Sequence, residues 1–171
     1  QIDTINTSLT TYATKSELTQ TNDSIVAKFS ESGGYNLIRN SGFLNGSSYW
    51  NLNAGTATVV DTNRKHDQHN SVKISVSGAT SNKWAGAVQR FATNIPQGKA
   101  FSVTFYYYIE DKSTFDGNFT FELKGRKAGG AQETTFAAIV INTSDMVQGA
   151  WTKKTFAGRT NSNWEYIYAY P

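Results

Sequence analysis

Beyond the first third of this chain, apolar residues recur at every second position in runs too short for helices, and this pattern confines the fold to antiparallel β structure. Val72, Ile74 and Val76 alternate with Ser71, Lys73 and Ser75, while Phe119, Phe121 and Leu123 alternate with Asn118, Thr120, Glu122 and Lys124. Successive side chains of a strand point to opposite faces, so each such segment is expected to bury one face and wet the other. Turn-rich polar clusters separate the predicted strands, which fall at 56–61, 71–76, 84–91, 101–109, 118–124, 134–141, 151–157 and 164–170. Short strands at this spacing predict an all-β sandwich.

The 171 residues suffice for one sizeable core plus an appendage. Aromatic residues make up 13% and charged residues only 17%, a balance that suits a β domain with polar turns and argues against disorder. No apolar run approaches the roughly 20 residues that cross a bilayer, so no membrane insertion is expected. Cysteine is absent, which removes disulfides and thiolate metal sites. Gln1 stands where a start methionine would, so the chain is expected to be a segment of a longer polypeptide.

The formal charge of +3 is unevenly divided. Residues 1–34 carry Lys15 and Lys28 against Asp3, Glu17, Asp23 and Glu31, a balance of −2 that leaves +5 on the remainder. Arg64-Lys65, Arg126-Lys127 and Lys153-Lys154 are scattered pairs, so nucleic-acid binding is not expected. An anionic polymer such as a phosphate-bearing glycan would still be attracted.

Residues 1–34 are predicted to form a helical, coiled-coil-like oligomerisation stalk, with the β domain over 35–171. Ile2, Ile5, Leu9 and Tyr12 follow a three-four-three spacing, and Leu18, Asn22, Ile25 and Phe29 continue an apolar edge after the seam slips. Thr14 and Glu17 form a capping box that restarts the helix near Lys15, and Gly33-Gly34 can end it. A helix of about 17 residues with so thin an edge is not stable alone. It must pack on its own β domain or self-associate, the trimer being the expected oligomer, with Asn22 setting register.

The motif Asn36-Leu-Ile-x-Asn-x-Gly-Phe43 with Gly46 and Trp50 opens the β domain. Ser71-Val-Lys-Ile-Ser, Gln89, Gly98 before Phe101-Ser-Val-Thr-Phe-Tyr, and Ala150-Trp151 before Phe156 follow in order. Over about 36–170 this series resembles the galactose-binding-like jelly roll of carbohydrate-binding modules. The helix Tyr12–Phe29 placed directly before such a module is similar to tail-tip and receptor-binding proteins of phages and prophages of Gram-positive bacteria. That resemblance implies a trimeric tail component, on the virion tail at the host surface, that meets bacterial cell-wall or capsular polysaccharide and other tail proteins. Two departures stand out. Leu44 follows Phe43 where calcium-holding members carry an acidic residue, and the chain stops at Pro171 where the family usually supplies one more strand, so either the end is truncated or the edge is completed otherwise.

Sugar recognition needs flat aromatic faces for the C–H surface of a ring and polar groups aimed at hydroxyls. Alternation places Phe101, Val103, Phe105, Tyr107 and Ile109 on one side of their strand and Thr104, Tyr106 and Tyr108 on the other. In the last strand Ile167 and Ala169 suit the core, so Trp164, Tyr166, Tyr168 and Tyr170 are expected outside. Were both outward faces on one sheet, they would form an aromatic floor with Glu122, Lys124 and Arg126 as polar partners. Trp84 and Gln89 are further candidate contacts, whereas Trp50 and Trp151 at framework positions are expected in the core.

Asp61–Asn70 is expected to be a polar loop, and His66-Asp-Gln-His69 within it lacks the further ligand of a closed zinc site, so no metal or cofactor is expected. Glu110, Asp111, Asp116 and Glu122 gather around one hairpin instead of flanking a cleft, so no enzyme is expected either. Three functions remain: a non-catalytic receptor-binding module, a structural spacer of the tail, and the accessory module of a glycosidase.

Overall fold

Two facing layers of antiparallel β structure enclose an aromatic core. The computed structural model describes residues 36–52, 57–76, 78, 80, 86–115 and 117–171, so Trp84 and the stalk positions Ile2, Ile5, Leu9, Tyr12, Leu18, Asn22, Ile25 and Phe29 lie outside the described residues. The strands are β1 (Asn51–Leu52), β2 (Ala57–His66), β3 (His69–Ser75), β4 (Ala87–Ile95), β5 (Ala100–Tyr108), β6 (Asn118–Lys127), β7 (Glu133–Asn142), β8 (Trp151–Arg159) and β9 (Trp164–Tyr170). One sheet has the order β1-β4-β9-β6-β7, while β2-β3 and β5-β8 pair separately. Each predicted strand overlaps an observed one, and among the described residues only the two-residue β1 was not foreseen.

The residues that alternate in β6 behave as expected. Phe121 and Leu123 are buried and join Ile167, Ala169 and Trp164 of β9 in the core. Phe101, Val103 and Phe105 of β5 and Phe156 of β8 pack against them from the second layer. Phe105 stacks on Phe121 with centroids 4.8 Å apart, so the layers meet through rings.

Trp164 is a correction. It was expected to face outward, yet it is 1% exposed and its ring lies 4.6 Å from that of Phe136. The cause is an irregular register with β6, where Arg126 opposes Tyr166 but the next residue, Lys127, opposes Trp164. Glu165 is therefore the extra residue of a bulge, which breaks the alternation and turns Trp164 inward. Gly125 makes room for it: a methyl group there would meet the Tyr166 carbonyl oxygen at 2.1 Å and Trp164 Cε3 at 3.2 Å.

Residues 61–70 are not a loop. β2 runs on to His66, and a two-residue turn of left-handed Asp67 (φ 45°) and Gln68 (φ 69°) returns the chain into β3, the backbone of a type I′ hairpin. The His66 ring stacks on Tyr106 at 3.8 Å, whereas the His69 ring packs against Gly42. The apolar face expected for Val72, Ile74 and Val76 is also not buried, since Ile74 is 37% and Val76 47% exposed. Among the described residues this hairpin pairs only with itself, so no second sheet edge carries its apolar face into the core.

Rings and charges, not backbone hydrogen bonds, fasten the hairpin to β5. Arg64 lies over the Tyr108 ring at 4.1 Å, and Glu110 accepts from both Arg64 (3.3 Å) and Lys73 (3.2 Å). Those hydrogen bonds, Lys73 first, hold the Glu110 carboxyl below its ordinary range. Trp151 is a further correction: it lies opposite Tyr108, half-buried, on the outer side of this layer, with the His66 ring 5.3 Å away.

Candidate functional site

The outer face of the five-stranded sheet carries a row of rings flanked by charges. On β9 the regular stretch beyond the bulge sends Tyr166, Tyr168 and Tyr170 to this side, opposite the core residues Ile167 and Ala169. Register sets their neighbours: Arg90 of β4 lies across from Tyr168, and on β6 Arg126 opposes Tyr166, Lys124 opposes Tyr168 and Glu122 opposes Tyr170. A groove of about 490 Å³ runs over this face, lined by Tyr49, Asn51, Val88, Arg90, Glu133, Tyr168 and Tyr170.

Tyr166 is the base of the arrangement. It is 8% exposed because the Arg90 guanidinium lies 4.3 Å and the Arg126 guanidinium 5.0 Å from its ring centre. Its hydroxyl donates to Glu133 Oε1 at 2.9 Å. Burial, and then that bond to a carboxylate, push the phenol above its ordinary range, so it stays protonated and keeps donating. Tyr166 is thus too covered to carry a sugar face; it orients two guanidiniums and one carboxylate.

Those groups differ in what they still have to offer. Arg126 donates Nε to Glu165 Oε2 at 2.8 Å and Nη2 to Glu165 Oε1, a two-pronged pair that raises the guanidinium and lowers the carboxyl from their ordinary ranges. The bulge that buries Trp164 brings Glu165 to this pair. Arg90 is exposed, is stacked on Tyr166, and makes no ion pair or side-chain hydrogen bond among the described residues. Its planar fork of donors rests on the Tyr166 ring and feels the charge of Glu165, yet its N–H groups make no hydrogen bond among the described residues.

The depressed carboxyls set an acid limit. The folded-state values of Glu165, Glu110 and Asp61 lie below the unfolded ones, so the stability they contribute is present above the ordinary carboxylate range and is lost as pH falls through the lowered values. Urea titrations between neutral pH and pH about 3 should show falling stability, and Glu165→Gln should flatten part of that fall. An unchanged slope in Glu165→Gln would remove the Arg126 pair from the explanation.

The other expected contacts are dispersed. Tyr106 and Tyr108 sit on β5, which pairs with β8 in the opposite layer, so the single aromatic floor spanning both strands does not exist. Gln89 is 2% exposed and acts as a clamp: it accepts from the Arg39 backbone N–H at 2.7 Å and donates to the Arg39 carbonyl at 2.8 Å. Glu122 lies beside Tyr170 and accepts from Thr135 at 3.2 Å. Arg90, Glu133, Tyr49, Asn51 and Val88 were not anticipated. Alternation from Gln89 could have flagged Arg90, but nothing local marks the others.

Residues 35–167 match the family model described as Carbohydrate binding domain. The chain belongs to that family. Among solved structures, this carbohydrate-binding domain is similar to the CBM22-1 xylan-binding domain of Paenibacillus barcinonensis Xyn10C, at 12% identity and TM-score 0.49 over 71% of this chain and 72% of that one. The CBM22-2 xylan-binding domain of the same protein aligns at 15% identity and TM-score 0.46 over 75% and 78% of the two chains. A search of curated proteins gave no match.

Proposed function

We propose that this domain binds a polysaccharide through the groove on the outer face of the five-stranded sheet, without cleaving it. The observation that carries the reading is the pairing of partly exposed rings, Tyr168 and Tyr170, with the exposed guanidinium of Arg90, whose N–H groups make no hydrogen bond among the described residues. Rings take the C–H face of a pyranose, and the fork of donors takes its hydroxyls. Membership of the carbohydrate-binding family supports the same ligand class. Glu165 is unsuited to general-acid catalysis, because Arg126 holds its carboxyl in the ionised form.

In our reading the biological setting is a phage or prophage tail, where the domain meets cell-wall or capsular polysaccharide at the host surface. Support comes from the sequence pairing of the predicted helix Tyr12–Phe29 with this module, and a trimer would multiply weak single-site binding by avidity.

A second reading, a spacer that docks other tail proteins, is favoured by the opposite layer. There Tyr106 remains 43% exposed beside His66 and Trp151. Retention on Gram-positive wall polysaccharide and a glycan array separates the two. Arg90→Ala should weaken retention while Tyr106→Ala leaves it unchanged. Loss in Tyr106→Ala alone would move the site to the other layer, and no retention by the unsubstituted protein would leave the spacer.

A further inference from the structure

Tyr49 is an exposed ring held in a backbone conformation that its side chain disfavours. Its φ is 72°, in the left-handed region where a bulky side chain crowds its own backbone, and the residue is 62% exposed. Burial does not offset that strain. Strain of this kind persists where surrounding contacts over-determine the backbone, and it concentrates at ligand sites.

The surrounding contacts are unusually complete. Asn40 donates its side-chain amide to the carbonyls of Gly46 (2.9 Å) and Ser48 (3.1 Å) and accepts from the Asn45 backbone at 3.2 Å. On the other side of Tyr49, the Trp50 indole donates to the Asn40 carbonyl at 3.1 Å, and its ring packs on Phe43 at 5.1 Å. The residues before and after Tyr49 are thus pinned to the same asparagine. The Arg39 guanidinium backs the ring at 5.3 Å, and the Arg39 backbone is in turn clamped by buried Gln89, the neighbour of Val88 and Arg90 in β4. This frame presents one side chain, and that side chain lines the groove with Tyr168 and Tyr170.

We propose that Tyr49 is a specificity-determining stacking residue, a rim platform that takes the C–H face of a saccharide ring beside the one resting on the sheet. This rests on the groove being the polysaccharide site. The ligand it selects is a chain of at least two sugar units, because a single ring on Tyr168 would leave the rim empty.

The test separates binding from folding. Tyr49→Gly relieves the left-handed backbone, so its thermal midpoint should equal or exceed that of the unsubstituted protein while affinity for the best array polysaccharide falls about ten-fold. Tyr49→Phe should keep affinity within about two-fold, since the stacking face survives. Affinity unchanged in Tyr49→Gly, or a lowered thermal midpoint, overturns the proposal and makes the ring structural or idle. If Tyr49→Gly binds normally while Arg90→Ala does not, only the rim platform fails; if the unsubstituted protein binds no saccharide, the groove reading fails with it.

Discussion

Trp164→Ala is expected to lower the unfolding free energy by about 3–5 kcal/mol, the range for deleting a fully buried large aromatic side chain. Trp164 is 1% exposed and its ring contacts Phe136, while Gly125 of the neighbouring β6 leaves room for it. Little can relax to fill the hole, because the bulge at Glu165 fixes the backbone on one side and the β6 ladder fixes it on the other. Against a total stability of about 5–15 kcal/mol for an ordinary domain, such a loss leaves a marginal fold. Urea unfolding followed by circular dichroism measures it. Trp164→Phe should cost clearly less, because it keeps most of the ring volume and removes an indole N–H that is buried without a partner. A mild effect of Trp164→Ala would mean that the tryptophan is not the keystone of the β6–β9 packing.

Tyr168→Ala is expected to weaken polysaccharide binding by roughly 10–100-fold, the loss typical of a central aromatic anchor. Tyr168 stands at the centre of the outer face, opposite both Arg90 and Lys124, and Tyr166 packs against it at 5.3 Å. Because the ring is only partly buried, the thermal midpoint should move little, and calorimetric titration would then report binding alone. Tyr166→Ala would be a poorer probe. It removes the support of Arg90 and Arg126 and the hydrogen bond to Glu133 together, so stability and binding would fall at once. Unchanged affinity in Tyr168→Ala would place the ligand off this face.

The layered β architecture was legible in the sequence because strand alternation is local. The cores of β5 and β6 follow directly from it, and Glu122, Arg126 and Tyr168 were expected outside and are found there, on one face with Tyr166, which two guanidiniums cover. Trp164 escaped because a bulge inserts one residue and reverses the count, and the cause lies in the partner strand. Gln89 escaped for a different reason: as a buried polar side chain it needed a partner, and Arg39, 50 positions away, supplies it.

From the chain of residues alone came the all-β class of the described domain, the approximate positions of most strands and the side of its own strand on which most side chains lie, since each depends on neighbours one or two positions apart. Tertiary structure alone decided which strands share a sheet: Tyr106 and Tyr168 both face outward, yet hydrogen-bonding partners far along the chain set them on opposite layers. The groove came from the same source. Tyr49, Arg90 and Tyr168 meet only because β1, β4 and β9 pair side by side, and that pairing is chosen by core packing that no local pattern records.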